Sequence, residues 1–149
     1  MKQFRLLTVF ATFLALFLSC NDDDDRYEVV LSEGDIPTEI ITYTNDHFPE
    51  NAIKKAIKDT ERTVTYELFL EGGIELDFDE NYEIYDIDGT TKLPDSVIPD
   101  PILAYVTENY PKQVITDWEL ENAHQQVELN NNLELEFDLD GTFIRIDND

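Results

Sequence analysis

Two strings in this sequence bring oxygen donors close together. Asp86-Ile87-Asp88-Gly89-Thr90 and Asp138-Leu139-Asp140-Gly141-Thr142 each match the opening of a calcium loop. A full loop needs a third oxygen donor and a later bidentate Glu. Neither string has them at that spacing, so both are expected to serve as hairpin turns and no metal is assigned. His47 and His124 are the two imidazoles, and Cys20 is the single thiol. A catalytic His needs an orienting partner and a nucleophile beside it, and no such trio is visible. The remaining reactive groups are carboxylates, 34 Asp and Glu against 10 Lys and Arg, for a formal charge of −24 over 149 residues. An acid/base pair could be drawn from so many, but carboxylates that alternate along strands are solvated surface by default. No catalytic residue and no cofactor is therefore assigned, and the chain is expected not to be an enzyme.

The same counts exclude other classes. Nucleic-acid binding needs clustered Lys and Arg, and an anionic membrane surface would repel this charge. A hydrophobic content of 42% is too high for a disordered acidic tail. A single Cys excludes a disulfide within the chain and a Cys-based zinc cluster.

The N-terminus reads as an address. Lys2 and Arg5 precede an apolar run from Leu6 to Leu18, broken only by Thr8 and Thr12. The run is too short for a spanning helix, which needs ~20 residues, and fits a secretory signal over residues 1–19. Its end, Leu16-Phe17-Leu18-Ser19-Cys20, resembles a bacterial lipobox, which implies lipid attachment at Cys20. A plain signal ending in Cys is the alternative. Asn21, Asp22, Asp23, Asp24 and Asp25 follow, part of an acidic tether over residues 20–30. Four consecutive Asp repel one another and cannot pack. The run resembles the export signal of Bacteroidota surface lipoproteins, with a solvated spacer as the alternative. The implied location is the outer membrane, surface-exposed or periplasm-facing, with the lipid as the only membrane contact.

The rest of the chain is one unit used twice. Ile36-Pro37-Thr38-Glu39-Ile40-Ile41-Thr42-Tyr43 aligns with Ile98-Pro99-Asp100-Pro101-Ile102-Leu103-Ala104-Tyr105 at a shift of 62. Further on, Ile74-Glu75-Leu76-Asp77-Phe78-Asp79 aligns with Leu133-Glu134-Leu135-Glu136-Phe137-Asp138 at a shift of 59. The repeats span residues 31–89 and 93–149.

Each repeat opens with a helix. Ile98, Ile102, Tyr105 and Val106 form a 3.6-period stripe, as do Ile36, Ile40 and Tyr43 with His47. Pro37, Pro99 and Pro101 suit a first turn, where amide hydrogens lack helical partners, and Pro49 and Pro111 end each helix. Four strands follow in each repeat. Residues 52–60 could be helical by themselves, but their counterpart at 114–120 reads as a strand and decides the matter. The remaining strands fall at 66–70, 74–79 and 82–87, and at 125–129, 133–138 and 142–146. Gly72-Gly73, Asn130-Asn131-Asn132 and Asp140-Gly141 supply turns that tolerate positive φ. The fold class is therefore α+β, two tandem helix-plus-four-stranded antiparallel units.

Period two fixes the faces. Ile74, Leu76 and Phe78, with Leu133, Leu135 and Phe137, pack under the helices. Glu75, Asp77, Glu134 and Glu136 point to water, joined by Glu67, Phe69, Gln126 and Glu128 if the register holds. Phe69, Tyr85 and Trp118 are candidate aromatic anchors for a partner. Trp118 shares parity with Val114, Thr116 and Leu120, so core and exposed placements both stand.

Leu93-Pro94-Asp95-Ser96-Val97-Ile98-Pro99, then Tyr105, Asn109-Tyr110-Pro111, and Leu135-Glu136-Phe137-Asp138-Leu139-Asp140-Gly141 resemble the PepSY-like family of Bacteroidota, which is also similar to the beta-lactamase inhibitory protein. In the first repeat Glu80-Asn81-Tyr82 replaces the Asp-Gly turn. The resemblance implies tandem units joined in one concave eight-stranded sheet, and a secreted or periplasmic binding role. Three functions compete: a lipid-anchored module that presents its acidic sheet to a basic patch on a protein or peptide, with enzyme inhibition as a sharper version; a structural surface lipoprotein without a dedicated ligand; and, least, an enzyme or calcium-dependent protein. Fold analogy alone does not decide among them.

Overall fold

A computed structural model describes residues 27–61 and 65–147. The stretch read as a signal, Cys20 and Asn21 to Asp25 lie outside the described residues. Two helices and nine antiparallel strands form an α+β fold. Strand β1 is Glu28–Val30, and helix α1, Thr38–His47, follows a short 3₁₀ turn. Strands β2 to β5 are Ile53–Asp59, Thr65–Leu70, Ile74–Phe78 and Ile84–Gly89. A second 3₁₀ turn leads into α2, Asp100–Asn109, and β6 to β9 are Ile115–Leu120, Gln125–Leu129, Leu133–Phe137 and Phe143–Asp147.

The two helices start and stop for matching reasons. Pro37 and Pro99 take the N-cap positions with extended ψ, where a missing N–H costs nothing. Ile40 and Thr44, and Ile102 and Val106, lie one turn apart and are the buried positions of each helix. Thr44 satisfies its hydroxyl by donating to the Ile40 carbonyl at 2.8 Å. The amides of Phe48 and Tyr110 close the last turns on Thr44 and Val106, and the following prolines cannot continue the ladder.

The strands lie in one sheet in simple sequence order, β1 to β9. The units are fused where β5 pairs with β6: Asp86 faces Glu119, Ile87 faces Trp118, and Asp88 faces Asp117. The sheet has nine strands rather than eight because Glu28–Val30, within the stretch read as tether, pairs with β2. Its Glu-Val-Val composition suits an edge strand. The core lies on the helix side. Leu68, Leu76, Phe78 and Ile87, with Val127, Leu135 and Phe137, are fully buried there. Each contributes about 1.5–3 kcal/mol through the area it removes from water. Tyr43 meets Phe78, and Tyr105 meets Phe137, edge to face at 5.4 Å in both units, a geometry aromatic pairs favour.

Trp118 belongs to this core. It is 6% exposed and its indole N–H donates to Gln125 Oε1 at 3.1 Å. The parity count with Val114 and Thr116 fails because of a bulge between Ile115 and Asp117. An extra residue in one strand shifts every later side chain to the other face. The first unit has the same bulge between Ile53 and Lys55.

The turn expectation divides. Asp138 Oδ1 accepts the amides of Asp140 and Thr142, at 3.0 and 2.7 Å, and Gly141 takes φ 80°. This is turn chemistry. Asp86-Ile87-Asp88-Gly89, by contrast, is strand β5. Its Gly89 is required by close packing: a Cβ there would stand 2.8 Å from Leu93. As the repeat implies, Glu80-Asn81-Tyr82, opened by Asp79, is the counterpart of the Asp-Gly turn. Asp79 Oδ1 accepts the amides of Asn81 and Glu83, and Tyr82 carries a positive φ of 66°.

Candidate functional site

Sheet register sets the site. Side chains directly opposite across an antiparallel pair lie ~5 Å apart on one face. Following the pairing across the sheet, Glu67 faces Asp77, Asp77 faces Asp86, and Asp86 faces Glu119. Glu119 then faces Gln126, Gln126 faces Glu136, and Glu136 faces Arg145. A second row runs beside it. Phe69 faces Glu75, Glu75 faces Asp88, and Asp88 faces Asp117. Asp117 faces Glu128, and Glu128 faces Glu134. The face away from the helices therefore carries two parallel rows made almost wholly of carboxylates. Lys55, opposite Phe69, and Arg145 stand at the two ends.

Crowding of like charges shows in the protonation equilibria. Burial, then the charges of Glu67, Asp86 and Glu75, push Asp77 up to about 7. Burial with Asp86, Asp88 and Glu128 does the same to Asp117, also to about 7. Asp86, Glu67, Glu75 and Glu119 are raised as well, each by burial first and acidic neighbours second. Opposite charges would reverse these shifts. Tyr85 is the extra residue of a bulge where Asp77 faces Asp86 but Phe78 faces Ile84. It is half-buried, and burial with Asp77 and Asp86 lifts its phenol to about 12.

The second unit is calmer. Gln126 Nε2 donates to Glu134 Oε2 at 2.9 Å, and Asn132 donates to Glu128. Glu136, expected to face water freely, is on the expected face but only 7% exposed, because Arg145 covers it. Arg145 grips it through two nitrogens, at 2.8 and 2.5 Å, and holds its pKa below the usual carboxylate value.

Of the residues singled out from sequence, Glu67, Phe69, Glu75, Asp77, Tyr85, Gln126, Glu128 and Glu134 share this face and are partly accessible. Trp118 does not belong to it: the bulge turns it inward. Phe69 is half-buried, with Lys55 Nζ 5.5 Å above its ring. Asp86, Asp88, Asp117, Glu119 and Arg145 were missed. Period-two alternation in β5 pointed to Asp86 and Asp88, but the calcium-loop likeness drew them toward a turn. Asp117 and Glu119 needed the bulge. Among the described residues no group of three or more His, Cys, Asp or Glu is arranged to hold a metal ion. His47 Nδ1 lies 2.9 Å from Ser96 Oγ, and His124 lies 3.5 Å from Glu121.

On the helix side, each unit has a groove at the helix C-terminus, about 590 Å³ in the first and 240 Å³ in the second. Ile36, Ile41 and Phe48 line one, and the aligned Ile98, Leu103 and Tyr110 line the other. These are seams between helix and sheet, rimmed by Glu33, Glu50, Lys54 and Lys55 in the first unit and by the Lys92–Asp95 ion pair in the second.

Three solved structures share the fold and its length. A Bacteroides thetaiotaomicron protein, provisionally described as calcium-regulated and periplasmic, superposes with a TM-score of 0.78 at 28% identity, covering 84% of this chain and 98% of its own. A Bacteroides vulgatus protein, provisionally described as periplasmic, gives 0.76 at 28% identity over 86% and 99%. A second from that organism, of unknown function, gives 0.76 at 26% over 81% and 99%. No curated protein matches the sequence. The profile of the beta-lactamase-inhibitor-like, PepSY-like family matches twice in tandem, at residues 23–86 and 87–145. With the unit repeated in sequence, in register and in its bulges, the chain belongs to the beta-lactamase-inhibitor-like, PepSY-like family.

Proposed function

We propose that this protein is a non-catalytic binding module of the cell envelope, anchored by lipid at Cys20, that docks a basic segment of a protein or peptide on the carboxylate rows of its sheet. The observation that carries the reading is the paired rows themselves. Raised carboxyl groups store repulsion that a cationic partner would relieve. A −24 chain also generates a field that steers such a partner. The periplasmic descriptions of the three relatives' group support the envelope, and the described residues contain no helix long and apolar enough to cross a membrane. Inhibition of an envelope enzyme is the sharper form. The lipobox-like end of the signal supports the anchor, and the Asp run supports surface export.

The test is association kinetics with a basic peptide as salt is varied. The on-rate should fall as ionic strength rises, since screening reaches ~10 Å at 0.1 M, and charge reversal at Glu75 and Asp88 should lower it further. An on-rate indifferent to both would overturn the reading. A calcium-screened face is a second reading, favoured by the description of the Bacteroides thetaiotaomicron relative. Calcium titration followed by carboxyl NMR separates the two.

A further inference from the structure

The shift of 59 that aligns the two units lays Asp77 on Glu136, Asp86 on Arg145 and Tyr85 on Ile144. The backbone repeats there too. The first unit's bulge falls between the Asp77–Asp86 and Phe78–Ile84 pairs, and the second's between Glu136–Arg145 and Phe137–Phe143. In the second unit the carboxylate is held by a guanidinium through both oxygens. In the first, the facing residue is another carboxylate. Asp77 Oδ1 is buried and has no hydrogen-bond partner among the described residues. A buried acceptor without a donor is a costly arrangement that proteins seldom keep.

We propose that Asp77 and Asp86 form a receptor for an arginine side chain of the basic partner, which takes in the first unit the place that Arg145 takes against Glu136 in the second. This rests on the reading of the acidic face as a docking surface and names what recognises the partner there. Two observations beyond the count of acidic groups carry it: the guanidinium seated at the repeat-equivalent position, and the orphaned oxygen of Asp77. The planar fork of Arg matches a carboxylate through two parallel N–H bonds, whereas a Lys ammonium is a point charge. The receptor therefore selects Arg over Lys. The pair lies in the middle of the sheet, where β3 and β6 supply Glu67 and Glu119 as neighbours. Both oppose any competing anion.

The experiment compares hexa-arginine with hexa-lysine by calorimetry on the purified protein. Hexa-arginine is expected to bind about tenfold more tightly, the worth of a charge-assisted bidentate pair. Asp77→Asn, close to isosteric, should erase that preference, whereas Glu128→Gln should weaken both peptides alike. Asp86→Arg should rebuild the second unit's pair in the first. It should erase the preference too, and the Asp77 carboxyl carbon should report an ionised group without peptide. Equal binding of both peptides, unchanged in Asp77→Asn, would overturn the receptor and leave the acidic face standing. Binding of neither peptide would overturn both. Calcium alone moving the Asp77 carboxyl signal, with hexa-arginine leaving it in place, would assign the position to a divalent cation and overturn the proposal.

Discussion

The first and second units share helix, strands, bulges and turns, yet fill equivalent positions with different chemistry. Ala56 lies where the second unit has Trp118, and both are buried. Tyr82 takes the left-handed backbone position that Gly141 takes. Thr44 lies where Val106 does, with its hydroxyl folded back on the helix. The differences follow position in the sheet. Trp118 lies at the fusion seam opposite Ile87, where material from both units must be joined. Ala56 lies one strand from the edge, with little to bridge. The fusion seam thus takes the larger side chain, while the bulges that set register are common to both units.

Breaking that comparison should have its largest effect at the seam. Trp118→Ala should cost about 3–5 kcal/mol, from lost burial and the cavity left behind, read by denaturant unfolding. It also strands the Gln125 amide that the indole satisfies. A loss below that of a surface substitution would show that the seam is not a shared core.

The turns should respond unequally. Gly141→Ala should destabilise by about 1–2 kcal/mol, because it combines a positive φ with a crowded site. A Cβ there meets Pro101 at 2.8 Å. Tyr82→Gly should be close to neutral, because the relieved backbone strain is offset by lost contact with Tyr66. Thermal melts of both variants check the asymmetry.

The carboxylates should give opposite pH responses. Asp77 and Asp117 have folded-state pKa values near 7 against 3.8. Their contribution is complete below the unfolded value and is lost as pH rises through the folded one. Glu136 and Asp79 are lowered. Their contribution is present above the unfolded value and is lost as pH falls through the folded one. Stability should therefore peak near pH ~5 and decline toward pH ~8. Asp77→Asn should recover about 1 kcal/mol at the upper end, after discounting for the water that still reaches this group. Calorimetric melts should show its Tm rising at high pH and its pH slope flattening. Glu136→Gln should lower Tm at neutral pH instead, because the ion pair between the buried Glu136 and Arg145 is lost.

The smallest effect is expected at Phe69. Phe69→Ala should change stability by about 0.5 kcal/mol or less, as for a residue on the solvent face, and should act on the off-rate of a bound peptide. A large loss of stability would mean that its ring, under Lys55, is structural.

Much of this was legible in sequence. Alternation in β4 and β8 gave the faces, because Leu76 and Leu135 cannot face water without exposing a continuous apolar row. The repeat decided that residues 53–59 form a strand despite Ile53 and Ile57 standing four apart. What escaped were the places where period two breaks. The bulge beside Thr116 leaves no composition signal, so Trp118 stayed ambiguous and Asp117 and Glu119 went unseen. The last strand of the first unit starts at Ile84 rather than at Tyr82, because Tyr82 holds a positive φ that is uncommon for a bulky residue. β1 was hidden because three residues beside an acidic run carry too little pattern.

The strand order has a kinetic consequence. Each strand is bonded only to strands adjacent to it in sequence, so no pairing waits for a distant partner. Chains built on such local closures fold faster than sheets with crossovers, and hairpins close within ~10 μs. A chain with this order can close each ribbon as soon as its two strands are free to meet, with little time spent as a sticky, half-paired intermediate.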